Sequence, residues 1–120
     1  REQRKSVSVE DTFFDDLTDR DRLVAEIERI ATSLWGRIEK AQAWGRTVTL
    51  KIKFADFRII TRSRSFATPV RSPDLLAQAA RDLLLAQLPL RMGARLLGLG
   101  VHNLEVEEEA GQGDQLALGL

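Results

Sequence analysis

Cysteine is absent from the 120 residues and histidine occurs once. The first absence removes disulfides, thiol nucleophiles and thiolate metal sites, and the second rules out an imidazole metal cluster. No apolar run approaches membrane-spanning length, so no membrane partner is expected. Net charge is missing as well: 18 Lys and Arg offset 18 Asp and Glu, which by itself predicts no polyanionic partner. What is present is 43% apolar and 30% charged residues, a balance that supports one folded core and, at this length, one domain. The chain opens at Arg1 with neither Met nor a signal peptide, so it is expected to be a piece of a longer, cytoplasmic protein.

Periodicity organises the chain into six elements. Val7 and Val9 alternate with Ser6, Ser8 and Glu10, which predicts a half-buried strand. Thr18-Asp19-Arg20-Asp21 resembles a capping box, with Thr18 as the cap. Leu23, Val24, Ile27, Ile30, Ala31, Leu34, Trp35 and Ile38 then follow the 3.6-residue period of a helix running towards Trp44, with Gly45 as its stop. From Arg46 the period changes to two: Val48, Leu50, Ile52 and Phe54 take one face of a strand, Thr47, Thr49, Lys51 and Lys53 the other. A hairpin follows. If Ala55-Asp56 is a two-residue loop, Phe54 faces Phe57, Ile52 faces Ile59 and Leu50 faces Thr61, and the apolar sets coincide. Ser72-Pro73-Asp74 starts a second amphipathic helix, carrying Leu75, Leu76, Ala79, Ala80, Leu83, Leu84 and Leu88 before Pro89. The last strand, Arg95 to Leu104, sets Leu97, Leu99 and Val101 against Gly98, Gly100 and His102.

The order β-α-β-β-α-β predicts an α+β, ferredoxin-like fold: a four-stranded sheet with both helices on one face and a flexible acidic C-terminal tail. The expected core joins Val7, Val9, Val48, Leu50, Ile52, Phe54, Phe57, Ile59, Leu97, Leu99 and Val101 to the helices. The uncovered face then displays Ser6, Ser8, Thr47, Thr49, Lys51, Lys53, Arg58, Arg62, Arg64, Gly98, Gly100 and His102. Charge is strongly polarised along the chain. Between Arg46 and Ser65, six basic residues stand against Asp56 alone, whereas Asn103 to Leu120 holds five acids and no base.

Lys53 and Arg58 would stand opposite each other on such a face, and like charges across strands destabilise a sheet, a cost that an external anion would relieve. Arg62 and Arg64, two residues apart, would lie about 6.6–6.8 Å from each other along one face, a spacing suited to successive phosphates. Hydroxyls and glycines among them add neutral donors and permit close approach of a backbone. With every strand Phe expected inward, the face lacks the aromatics on which single strands stack, which favours duplex backbone contact. A solvated basic face is the competing reading. A protein-interaction or regulatory module on the same scaffold is the other, since fold does not fix function. Asp15, Asp16, Asp19 and Asp21 sit around a helix start, where the helix dipole favours acids, and are read as capping rather than metal ligands. Trp35 and Trp44 are read as core or helix-end packing. No acid, base or nucleophile constellation suggests a catalytic site.

The chain resembles, over its whole length, the little finger or polymerase-associated domain of bacterial Y-family polymerases of the polymerase IV (DinB) type. The matching segments are Arg4 to Phe13, Gly45 to Lys51, Asp56-Phe57-Arg58 through Thr61 to Ser65, and Arg95 to Val101. The resemblance implies a domain that grips primer-template duplex across the major groove. Catalysis would lie elsewhere: a separate palm performs nucleotidyl transfer with Mg²⁺, the palm, fingers and thumb of the parent are partners of this domain, and this chain needs no cofactor and should show no polymerase activity alone. Residues 1–104 would form the little finger, 105–114 an acidic flexible linker bearing Glu105, Glu107, Glu108, Glu109 and Asp114, and 115–120 a clamp-binding peptide. In that peptide the resemblance gives Gln115 a hydrogen-bonding role and places Leu116, Leu118 and Leu120 in an apolar pocket of the sliding β-clamp. The Gly119-Leu120 ending departs from the many such motifs that close on Phe.

Overall fold

The computed structural model describes residues 6–104. The linker and clamp-peptide expectations therefore lie outside the described residues. Six elements follow in the expected order: β1 (Ser6–Leu17), α1 (Arg20–Ala41), β2 (Gly45–Phe54), β3 (Ile59–Ser65), α2 (Pro73–Leu85) and β4 (Ala94–Leu104).

Both helices begin where a side chain can satisfy an unpaired N–H, although the first does so one residue later than the sequence suggests. Asp19, not Thr18, caps α1, its carboxylate accepting from Arg22 N at 2.9 Å. Thr18 instead follows β1, which runs on through Leu17. The helix also stops short of Trp44. Gln42 takes a left-handed conformation, φ 54°, and Ala43 N–H reaches back to the Ile38 carbonyl at 2.9 Å, closing the last turn. Gly45 is thus not the stop but the first residue of β2, and a Cβ there would lie 2.5 Å from the His102 carbonyl oxygen on β4. On α2, Ser72 Oγ accepts from Leu75 N at 3.2 Å and Pro73 fills the first turn. This helix ends at Leu85, before the expected Leu88, where the chain tightens: Gln87 N–H reaches the Leu84 carbonyl at 2.9 Å and Leu88 N–H the Leu85 carbonyl at 3.2 Å.

The strands make one antiparallel sheet in the order β1-β4-β2-β3. Helix α1 carries the chain from β1 to β2 over the intervening β4, and α2 from β3 to β4 over β2. Both helices cover one face, and the core lies beneath them. Leu23, Ile27, Ile30, Leu34 and Ile38 of α1 and Leu76, Ala79, Ala80 and Leu84 of α2 meet Val48, Leu50, Ile52 and Phe54 of β2 and Leu97, Leu99 and Val101 of β4, all buried. Each large side chain among them contributes roughly 1.5–3 kcal/mol by leaving water. Trp35 and Trp44 pack at the end of α1, ring centres 6.0 Å apart, as the sequence suggests. Among the described residues no helix is long and apolar enough to cross a membrane.

The hairpin departs from expectation. Its loop spans three residues, with Phe54 N–H donating to the Arg58 carbonyl at 2.8 Å and Phe57 in left-handed backbone, φ 71°. The register slides by one residue: Ile52 faces Ile60, Leu50 faces Arg62 and Val48 faces Arg64. A slip of one reverses a strand's faces. Phe57 and Ile59, assigned to the core, are 60% and 51% exposed, and Ile60 packs against the core instead.

Candidate nucleic-acid interface

The uncovered face is a grid whose rows run across all four strands. Ser6, His102, Thr47 and Ser65 form one row. Ser8, Gly100, Thr49 and Ser63 form the next, then Glu10, Gly98, Lys51 and Thr61, then Thr12, Leu96, Lys53 and Ile59. Of the residues expected on this face, Ser6, Ser8, Thr47, Thr49, Lys51, Lys53, Gly98, Gly100 and His102 are brought together.

Arg58, Arg62 and Arg64 are not. The one-residue register shift sends Arg62 and Arg64 to the helix side of edge strand β3, and Arg58 to the loop end preceding it, where all three remain exposed. Arg64 lies 3.7 Å from Asp82 on α2 and over the Phe66 ring, while Arg62 donates to the Thr61 carbonyl at 2.8 Å. Lys53 accordingly faces Ile59 rather than Arg58, so the expected like-charge clash does not arise.

In the place of the arginines, β3 presents Thr61, Ser63 and Ser65, which the sequence reading missed. A signal was available in the matching hydroxyls of β2: Thr47 meets Ser65 at 2.9 Å and Thr49 meets Ser63 at 2.7 Å. Asn103 Nδ2 donates to Thr47 Oγ1 at 2.7 Å and extends the ladder. Between this ladder and β1, Gly98 and Gly100 leave a shallow trench of about 220 Å³, floored by backbone and edged by Ser8, Glu10, Thr49 and Lys51. A Cβ at Gly98 would sit 3.1 Å from Glu10 Cγ, and one at Gly100 3.1 Å from Ser8 Cβ, so side chains there would fill the trench.

Charge on the face is thinner than expected. Lys51 Nζ pairs with Glu10 Oε2 at 2.7 Å across the trench. Lys53 has no carboxylate partner among the described residues; its ammonium lies over the Phe57 ring, 5.1 Å from the centroid. The Arg95 guanidinium covers the same ring at 4.8 Å and meets Asp16 at 3.4 Å. In the loop, Asp56 accepts from Arg58 N–H at 3.1 Å; that bond, with the nearby guanidinium groups of Arg91 and Arg58, holds its carboxyl below the ordinary range. The aspartates around the start of α1 are dispersed. Asp16 pairs with Arg95 and Asp19 caps the helix, and among the described residues no three His, Cys, Asp or Glu gather as a metal site.

The arrangement is a broad, hydroxyl-lined and partly bare sheet face, rimmed by exposed arginines and capable of donating hydrogen bonds to a polyanionic backbone without reading bases. Residues 4–118 match the family described as the impB/mucB/samB family C-terminal domain. DNA polymerase IV 2 of Agrobacterium fabrum is 40% identical over 117 residues, which cover 98% of this chain and 33% of that protein. DNA polymerase IV 3 of Mesorhizobium japonicum is 48% identical over 101 residues, covering 84% and 28%. The chain thus spans about a third of the length of these curated relatives. Among solved structures, a little finger domain of PolIV in complex with the beta-clamp processivity factor is similar at a TM-score of 0.68 and 29% identity, over 96% of this chain and 99% of that one. A Y-family DNA polymerase chimera shares the fold at a TM-score of 0.77 and 19% identity, over 88% of this chain and 30% of that one.

Proposed function

Because the chain belongs to the impB/mucB/samB family as its C-terminal domain, the little finger of Y-family DNA polymerases of the polymerase IV type, we propose that its uncovered sheet face grips primer-template DNA without regard to sequence. The observation that carries this reading is the trench over Gly98 and Gly100 between two lines of hydroxyls, Ser6 and Ser8 on one side and Thr47 and Thr49 on the other. Phosphate oxygens accept from hydroxyls and backbone N–H groups, and such contacts position a protein on a duplex while carrying no sequence information. The face measures about 14 Å across its four strands, wider than a major groove of about 12 Å, so it can lie across the groove and meet both backbones. Lys51 and Lys53 supply charge from β2, within the face. Arg58, Arg62 and Arg64 supply it from the rim of β3.

Fluorescence anisotropy on random-sequence primer-template DNA tests the reading, with salt titrated upward. Binding independent of sequence and falling steeply with salt is expected, with Kd on the order of 10⁻⁴–10⁻⁶ M at physiological salt. Absence of binding at low salt refutes it and leaves the protein-interaction scaffold. In the same reading, nucleotidyl transfer and its Mg²⁺ belong to the palm of the longer parent, so the isolated chain extends no primer.

Clamp docking is a second proposed role, favoured by the similar little finger solved together with a beta-clamp. Gln115, Leu116, Leu118 and Leu120 would carry it. Pulldown with purified clamp should retain the full chain and lose one ending at Asp114; equal retention refutes the peptide's role.

A further inference from the structure

The hairpin end of the uncovered face differs from the rest of it. Here the hydroxyls give way to Leu96, Lys53 and Ile59 in one row, with Phe57 and Arg95 beside them. Phe57 is the centre of this patch. Its backbone is left-handed, a conformation that suits Gly and is strained for a bulky residue. Its ring is 60% exposed, so little of its apolar area is withdrawn from water. Two half-buried cations, Lys53 and Arg95, lie over the ring and offset the strain, yet the ring itself stays mostly in water. A large aromatic kept where the turn favours Gly, on the face proposed to meet DNA, is a local conflict of the kind that marks a functional position.

Building on the proposed DNA-binding role of this face, we propose that Phe57 is a stacking platform for an unpaired base next to the duplex: the base takes the place of a cation on the ring, and Lys53 and Arg95, drawn off it, hold that nucleotide's phosphates. Chemistry selects this ligand. A nucleotide supplies both an aromatic face for the ring and an anion for the two cations, and the patch adjoins the duplex-gripping rows without a break. Paired bases keep their faces covered by their neighbours in the stack, so only a single-stranded nucleotide can present one. Ile59 and Leu96 add an apolar floor. The platform is indifferent to sequence, because every base has a π-face.

The test compares the full chain on blunt duplex, on the same duplex with a 5′ single-stranded overhang, and on an overhang of abasic nucleotides. Wild type is expected to prefer the normal overhang by about fivefold, the lower end of what one stacked base contributes. The abasic overhang should lose that preference. Phe57→Gly suits the turn and should retain the fold; it should bind blunt duplex as wild type does but discriminate no overhang, and Phe57→Trp should restore discrimination. Equal binding of normal and abasic overhangs, or an equal loss on blunt and overhang DNA in Phe57→Gly, overturns the stacking role. Duplex binding without overhang preference overturns this inference alone. No binding to any DNA overturns the underlying face assignment with it. Preferential capture of an acidic apolar peptide through Phe57, with no overhang preference, would reassign the patch to a protein partner.

Discussion

Replacing Glu10 with Gln should tighten DNA binding. In the free chain Glu10 Oε2 holds Lys51 Nζ at 2.7 Å across Gly98, in the middle of the proposed interface. A phosphate entering the trench must draw the ammonium away from that carboxylate and approach the carboxylate's own negative charge. Glu10→Gln removes both obstacles at once. With Lys51 free to neutralise one more phosphate, the slope of log K against log salt should steepen by about 0.9. Between about 50 and 200 mM salt the variant therefore loses about 3.5-fold more affinity than wild type over the same range. At low salt it binds more tightly, because a unit repulsion at about 7 Å in water is worth about 0.6 kcal/mol, close to threefold. Folding should hardly register the change: the two side chains are 35% and 44% exposed, and a solvated pair of this kind contributes at most about 1 kcal/mol. The assay is anisotropy on a random-sequence duplex across a salt series, with Lys51→Ala and the double variant completing a mutant cycle. The double variant should match Lys51→Ala in salt slope. An unchanged slope in Glu10→Gln, or weaker binding at low salt, would refute the placement of Lys51 against phosphate.

Three further outcomes bear on the fold that presents the face. Ile60→Ser should destabilise the domain by about 1–2 kcal/mol and Ile59→Ser by no more than about 0.5, as read by urea unfolding; the reverse order would restore the two-residue hairpin register. Gly45→Ala places a methyl 2.5 Å from the His102 carbonyl oxygen and should cost about 1–3 kcal/mol, and an unchanged Tm would show that β2 and β4 part easily there. Asp56 ionises below its ordinary 3.8 in the folded chain, so its contribution to stability is present above that value and is lost as pH falls through the lower folded one. Asp56→Asn should flatten that acid limb in pH-dependent unfolding, and an identical limb in the variant would remove the Arg58 N–H contact as its cause.

Burial imposes a strict period wherever a helix or strand is covered, so the elements and most of their faces could be read from residue order alone. The apolar positions of α1 and α2, the alternation of β2, and the opposition of Gly98, Gly100 and His102 to Leu97, Leu99 and Val101 were all legible for that reason. Membership in the polymerase little-finger family was legible too, in segments such as Gly45 to Lys51. Helix ends were less so, since Thr18 and Asp19 could both cap, and Gln42 could close α1 before Gly45 was reached. The face of β3 depended instead on contacts between strands distant in sequence. Its sequence carries Ile59 and Ile60 side by side, so either register buries one isoleucine, and pairing the apolar residues of the two strands favours the register that also buries Phe57. That preference has force only for a covered strand. The order β1-β4-β2-β3 leaves β3 at the edge, where the helices bury little of it and the Thr47–Ser65 and Thr49–Ser63 hydroxyl pairs set the register instead. The same contact turned Arg62 and Arg64 towards the helix side and lifted Phe57 to the open one, where strand neighbours distant in sequence gave it Lys53 and Arg95 as partners.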